Sequence, residues 1–289
     1  MPLRYLVPST VGEATRMLAE QGNGARVIAG GTDLVVRMRG GLVRPTALVD
    51  ITRIPELSVI ARRDGTLVIG AAVTLAALTA SADVALLVPV VAEAAAQMGA
   101  VQLRNLATAG GNLASAVPSA DLAPPLLVAD ATARIAGPSG ERTLPVEALF
   151  LGPHRSALRP DEVLTRLEIP IGAGEGGGAF LKFGKRNAQV LAVVNAAAWV
   201  RIVGGLIDDA RIALGAVAPT PIRARAAEAL LRGQPPAPDL LDDAGRAAAA
   251  EARPISDMRA SAGFRLELCR VLVRRALERA VRRAGRPGA

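Results

Sequence analysis

Two glycine pairs constrain this chain more than any other feature. They occur in "AGGTDL", with Gly30 and Gly31, and in "AGGNLA", with Gly110 and Gly111. Glycine pairs admit positive φ and close backbone approach. The chain therefore either turns tightly at both places or lets something large lie against its main chain. Successive N–H groups at such turns form anion-binding nests, and Thr32 and Thr108 add hydroxyl donors beside them. Neither pair has the spacing of a P-loop or of a dinucleotide-binding G-x-G-x-x-G. Each pair alone reads as an ordinary strand-end turn. The two together, with Asp121 at a further turn, read as a two-sided cradle for an anion.

Around these turns the pattern alternates helix and strand. Ser9 or Thr10 caps a helix with Glu13 in capping-box position, and Val11, Ala14, Met17 and Leu18 recur at helical spacing. Glycines 22 and 24 end that helix, and a strand over residues 25–29 leads into the first glycine pair. "TALVDITRI" and "TLVIGAAVTLAAL" read as buried strands, the second running into a helix near 74–81. A helix is expected from Pro89 to Met98, stopped by Gly99. "PLLVADATARIAG" gives a helix end or a strand pair turning at Gly137 and Pro138, and "DEVLTRLEIPI" is a strand closed by Pro170. The segment "GAGEGGGAF" reads as a linker between two units. Beyond it, two strand-like runs flank the hairpin signal Gly204-Gly205. Helices follow near 223–232, 239–251 and 261–284, the last with Phe264, Leu268, Val271 and Leu272 facing inward. Strands followed by helices make the second unit α+β.

The formal charge of +8 raises the possibility of nucleic-acid binding. Aromatic residues are only 2% of the chain, which leaves few platforms for stacking bases. The densest arginine cluster, from Arg270 to Arg283, therefore reads as a solvated helix face or a protein interface. Cys269 and His154 are the only cysteine and the only histidine. One of each builds no disulfide, no iron–sulfur cluster and no ordinary zinc site, so metal chemistry is expected on another chain. The N-terminus has no signal-peptide pattern and no apolar window reads as a membrane span, which points to the cytoplasm. His154 reads as an exposed loop residue, Trp199 as core, and Cys269 as buried and inert.

In this order, "AGGTDLVVRMRGG", "LRNLATAGGNLASAVPSADLAPPLLVADA", "PDEVLTRLEIP" and "SDMRASAGFRLELCRVLVRRAL" resemble the FAD-binding medium subunit of the molybdenum hydroxylases, the xanthine dehydrogenase and aerobic carbon monoxide dehydrogenase family. The resemblance spans nearly the whole chain. It implies an α+β architecture: a two-subdomain FAD-binding domain of the vanillyl-alcohol-oxidase (PCMH) type over 1–174, with subdomains of about 1–57 and 58–174, then a smaller α+β domain over 178–289. It implies that Ala29, Gly30, Gly31, Thr32, Asp33, Leu34, Val35 and Val36 embrace the FAD pyrophosphate from one side, and Thr108, Gly110, Gly111 and Asn112 from the other. It further implies that Asp121 accepts from the adenosine ribose, that Leu164 packs on the adenine side, and that Lys182 lies near the flavin ring. A cation there would favour the reduced anionic flavin.

The implied function is an oxidoreductase flavoprotein subunit that relays electrons from iron–sulfur clusters to an external acceptor, with no catalytic side chain of its own. The partners would be an iron–sulfur small subunit carrying the 2Fe-2S clusters and a large subunit carrying the molybdenum cofactor, assembled as a dimer of heterotrimers. Two positions depart from the family pattern. Val190 stands where relatives often carry an acidic or hydroxyl residue, which weakens the case for a nicotinamide acceptor. Met98 stands where some carry an aromatic. A non-redox assembly module, a stand-alone flavin oxidase and a nucleic-acid binder remain as alternatives.

Overall fold

The computed structural model describes residues 2–171, 176–186 and 188–285. It opens with β1 (Arg4–Leu6), α1 (Val11–Gln21), β2 (Ala25–Ile28), α2 (Leu34–Arg39) and β3 (Ala47–Asp50). The three strands form a parallel sheet of order β1-β3-β2. A variant of the capping box forms at α1: Glu13 N–H donates to Thr10 Oγ1 at 3.1 Å, and the Glu13 carboxylate reaches one residue past the cap to accept from Ser9 N–H at 2.7 Å. Ala14 and Leu18 of α1 are buried with Ala47 and Val49 of the central strand.

Next come β4 (Ile60–Arg63), β5 (Thr66–Gly70), and the helices α3 (Leu75–Ala80), α4 (Ala82–Leu87), α5 (Pro89–Ala96), α6 (Val101–Arg104), α7 (Ala109–Ala114) and α8 (Ala123–Val128). The strands β6 (Thr132–Gly137), β7 (Gly140–Pro145), β8 (Phe150–Gly152), β9 (Arg155–Ser156) and β10 (Val163–Pro170) follow. Five of these strands make a sheet of order β4-β5-β10-β6-β7. Every residue of α8 is buried. A helix apolar on all sides needs cover on all sides, and α8 finds part of it on the strands of the second unit.

That unit contains β11 (Gly176–Phe183), β12 (Val194–Val203), β13 (Leu206–Gly215), β14 (Ile222–Arg223), α9 (Arg225–Leu231), α10 (Pro238–Glu251) and α11 (Ala262–Ala284). Its strands run in the order β11-β12-β13-β14. The β12–β13 hairpin turns where expected, with Gly204 and Gly205 at φ 58° and 81°. Both faces of the sheet are covered. Phe180, Ala197 and Ala213 join the core of the first unit, while Ala196, Ala198, Ile212 and Leu214 join α10 and α11 in a second core.

Two expectations need correction. Part of the supposed linker "GAGEGGGAF" lies outside the described residues, but Gly176, Gly177 and Gly178 belong to β11. A Cβ on Gly177 would lie 2.0 Å from the Ala280 carbonyl oxygen, and one on Gly176 would lie 2.3 Å from the Trp199 ring. These glycines let α11 and the indole sit directly on the strand. The second correction concerns α11, where Leu268 and Leu272 are buried but Phe264 is exposed and meets Phe183 edge-on, with ring centroids 5.8 Å apart.

Candidate functional site

A cavity of about 1410 Å³ opens between the two units. That exceeds the roughly 300–1,000 Å³ of common small-ligand pockets and suits an extended ligand. One wall is the loop between β2 and α2, which contributes Ala29, Gly30, Gly31, Thr32 and Asp33, continued by Leu34 at the start of α2. Gly31 has φ 69°, a conformation that favours glycine. Gly30 is required for contact with the chain itself, because a Cβ there would lie 1.8 Å from the Leu106 carbonyl oxygen. Val35 N–H donates to Gly31 carbonyl at 2.9 Å and opens α2. Among the described residues, the N–H groups of Gly30, Gly31, Thr32 and Asp33 meet no acceptor. Four consecutive unbonded donors on a cavity wall are a nest for an anion.

The second glycine pair works differently. Thr108 caps α7, its Oγ1 accepting from Gly111 N–H at 3.1 Å. Ala109 N–H donates to Val73 carbonyl and Gly110 N–H to Ala71 carbonyl, both at 2.9 Å, and Asn112 N–H donates to Thr108 carbonyl at 3.0 Å. The second turn is therefore not a second set of free donors. Its N–H groups are buried at the start of a helix and bond within the chain, as buried donors must. A Cβ on Gly110 would lie 2.5 Å from that of Ala71, so this glycine also serves packing. Gly111 is less crowded, its missing side chain meeting only Thr108 Oγ1, at 2.8 Å. Asn112 accepts from Leu122 N–H at 3.2 Å through Oδ1, which leaves its amide donors for the cavity.

Behind this wall lies a buried ion pair. Lys182 Nζ donates to Asp121 Oδ2 at 2.6 Å, with the two side chains 4% and 8% exposed. Asn195 Nδ2 donates to Asp121 Oδ1 at 2.7 Å. Burial pushes the Asp121 carboxyl above its ordinary range, against the pull of Lys182 and Asn195. Asp121 lines the cavity, whereas Lys182 is turned onto Asp121 and is not part of the lining.

Residues 1–172 match the family described as FAD binding domain in molybdopterin dehydrogenase, and residues 179–280 match the CO dehydrogenase flavoprotein C-terminal domain. The chain belongs to this family of flavoprotein subunits. It is 34% identical over 276 residues to the carbon monoxide dehydrogenase medium chain of Hydrogenophaga pseudoflava, covering 96% of each chain. It is 33% identical over 283 residues to the xanthine dehydrogenase FAD-binding subunit of Escherichia coli O157:H7, covering 97% of each. Its structure is similar to the Hydrogenophaga pseudoflava carbon monoxide dehydrogenase that lacks the Mo-pyranopterin moiety, with TM-score 0.95, 35% identity and 98% of each chain covered. It is also similar to quinoline 2-oxidoreductase from Pseudomonas putida 86, with TM-score 0.93, 32% identity and the same coverage.

In this flavoprotein-family chain, most of the residues singled out from the sequence gather on the one cavity. Residues 29–34, Val36, Thr108, Gly110, Gly111, Asn112, Asp121 and Leu164 all line it. Val35 faces Gly31 from within α2, its Cγ2 being 3.1 Å from where a Cβ on Gly31 would sit, and Val35 and Lys182 are the two that stay behind the wall. Val190 and Met98 line the cavity as well, and so does His154, exposed in its loop with φ 57°. The sequence reading missed the cations at the rim: Arg26, Arg37, Arg159, Arg186, Arg253 and Arg259. They are scattered along the chain, and no local pattern sets them apart from its other arginines.

Proposed function

We propose that this chain binds FAD in the cavity between its two units and relays electrons as the medium subunit of a molybdenum hydroxylase. The observation that carries the reading is the run of unbonded N–H groups from Gly30 to Asp33 on a cavity that Gly111 and Asn112 also line. These donors suit a pyrophosphate, which needs several at once and tolerates their being main-chain groups. Thr32 adds a hydroxyl, Asn112 an amide, and Leu164 an apolar surface for a ring system. Asp121 keeps a lone pair on each oxygen for a ribose hydroxyl, but its first duty is to Lys182 and Asn195. FAD, when bound, supplies redox chemistry that accepts electrons singly and releases them in pairs.

The chain's own residues bind, orient and shield; none is needed as an acid or base. The relatives named above, a medium chain and an FAD-binding subunit, support a place in a complex of several subunits; to this we add an iron–sulfur small subunit and a molybdenum-cofactor large subunit as the partners, a dimer of heterotrimers as the assembly and the cytoplasm as its place. Among the described residues, no helix is long and apolar enough to cross a membrane.

The test is an absorption spectrum of the purified chain, supplemented with FAD, beside that of Gly111→Asp. Aspartate at this position places a carboxylate against the cofactor phosphates. Flavin bands in the parent, with affinity at least tenfold weaker in the variant and a loss of cofactor-free stability of no more than about 1 kcal/mol from crowding the Thr108 cap, are expected. A parent that binds no flavin, alone or with partners, would overturn the reading.

A further inference from the structure

The chain has four phenylalanines, one tyrosine and one tryptophan. Against that scarcity, two of the phenylalanines lie exposed side by side. Phe183 at the end of β11 and Phe264 in the first turn of α11 are 36% and 47% exposed and touch edge-on. Met258, 92% exposed, is tied to the same place, because Lys185 Nζ donates to its carbonyl at 2.9 Å. Ile255, three residues before Met258, and Leu191, two residues before Val193, are 70% and 53% exposed and line the cavity. The framework beneath is fixed. Arg265, next to Phe264, donates to Val193 and Ala216 carbonyls, and Val193 N–H donates to Phe183 carbonyl at 2.8 Å.

The patch is ringed by positive charge. Lys185, Arg186, Arg253 and Arg259 are all exposed around it, and the nearby carboxylate of Asp257 is taken up by Arg265 and Arg259. Contiguous exposed aromatic and methionine side chains mark protein contacts, and aromatics dominate their energetics. The basic ring selects an acidic partner surface and disfavours a second copy of this chain, whose formal charge is also +8.

We propose that the patch formed by Phe183, Phe264, Met258, Ile255 and Leu191 docks an apolar segment flanked by carboxylates on the iron–sulfur subunit. This rests on the flavoprotein reading above, since a subunit that delivers electrons to the cavity must sit beside its mouth, where the patch lies. Docking there also covers Ile255 and Leu191 and closes that part of the cavity to solvent.

The test uses the full-length chain titrated with the iron–sulfur subunit, comparing the parent with the double variant Met258→Glu/Phe264→Glu. Both positions are exposed, and glutamate three residues after the Ser261 cap is favourable to α11. The expected result is at least tenfold weaker binding by the variant, parent binding that weakens with added salt, and unchanged flavin content and thermal unfolding. Leu42→Glu, at an exposed position of the first unit, should bind like the parent. Equal affinity of the double variant and the parent would overturn the proposal. So would parent self-association relieved by the double variant, or a loss of affinity seen only toward the molybdenum subunit. A colourless chain that still docks through the patch would count against the FAD reading alone, because flavin content is read separately.

Discussion

Lys182 and Asp121 form a buried ion pair across the boundary between the two units, β11 on one side and the segment between α7 and α8 on the other, at 2.6 Å. Its third member, Asn195, comes from the adjacent strand and is fully buried, with Oδ1 lacking a partner among the described residues and lying 2.2 Å from where a Cβ on Gly215 would sit. The group ties the floor of the cavity to the second unit. Lys182→Met leaves a buried carboxylate without its cation and is expected to cost about 3–5 kcal/mol of stability. Loss of the ammonium also moves the Asp121 carboxyl further up. A carboxyl whose folded-state pKa lies above its unfolded value holds its proton longer in the folded state, so stability falls as pH rises through the folded pKa. The deficit of the variant in urea unfolding should therefore be largest at neutral pH and shrink as pH is lowered toward the ordinary carboxylate range. A deficit independent of pH would show that lost packing, not the stranded charge, is the cause.

The four glycines of the two turns should separate by role. Gly30→Ala and Gly110→Ala drive a methyl into the backbone around Leu106 and into Ala71, respectively, and each should cost about 3 kcal/mol through overpacking, with or without FAD. Gly31→Ala meets a positive φ and should cost about 1 kcal/mol. Gly111→Ala crowds the Thr108 hydroxyl that caps α7 and should cost about 1 kcal/mol, with its larger effect on FAD affinity. Thermal unfolding and flavin titration of the four variants check this order. Equal stability losses in all four would refute the division.

The sequence made the local grammar of this fold readable: the capping box at Thr10 and Glu13, the hairpin at Gly204 and Gly205, and the glycine turn before α2. Such features are specified by a few neighbouring residues, so short windows suffice. Contacts between distant segments were not readable. Nothing local distinguishes Lys182 as the partner of Asp121 from a solvated strand-end lysine, and the six arginines at the cavity rim are spread over five separate segments, only Arg253 and Arg259 sharing one. The glycines of β11 misled for a related reason. A run of glycines signals flexibility or close packing with equal force, and only the position of α11 and Trp199 decides between them. Thr108 shows the same ambiguity at the site. As a helix cap it takes up one of the N–H groups that the sequence alone offered to a ligand.

Cys269 lies fully buried in α11, and burial pushes its thiol up to about 12. Thiolate is the reactive form, so the native protein should resist thiol reagents at pH 8 and react stoichiometrically once denatured. Because the folded-state pKa is raised, the contribution of Cys269 to stability is complete below its unfolded value near 8.5 and declines as pH rises toward 12. Rapid labelling of the native chain, without loss of structure, would contradict this.

Asp257 holds the loop that carries Ile255, Met258 and Arg259, and its ionisation makes that loop sensitive to acid. Burial opposes the charge, but N–H groups of Arg259 and Ala260 and the guanidinium of Arg265 outweigh it and lower the carboxyl to about 2. Arg265 approaches at 2.8 Å and is itself buried, donating also to Val193 and Ala216 carbonyls. A depressed carboxylate adds stability that is complete above its unfolded pKa, about 3.9, and is lost as pH falls toward the folded value of about 2. Asp257→Asn keeps the shape and removes the charge, leaving the buried Arg265 without its counterion. The variant should be less stable than the parent at pH 7, and the gap should narrow as pH falls from about 4 toward about 2, where Asp257 of the parent takes up its proton. Amide exchange across residues 253–260 at neutral pH should quicken in the variant while that of β12 stays slow. Unchanged exchange in that loop would mean that Arg265 holds it through the two carbonyls alone.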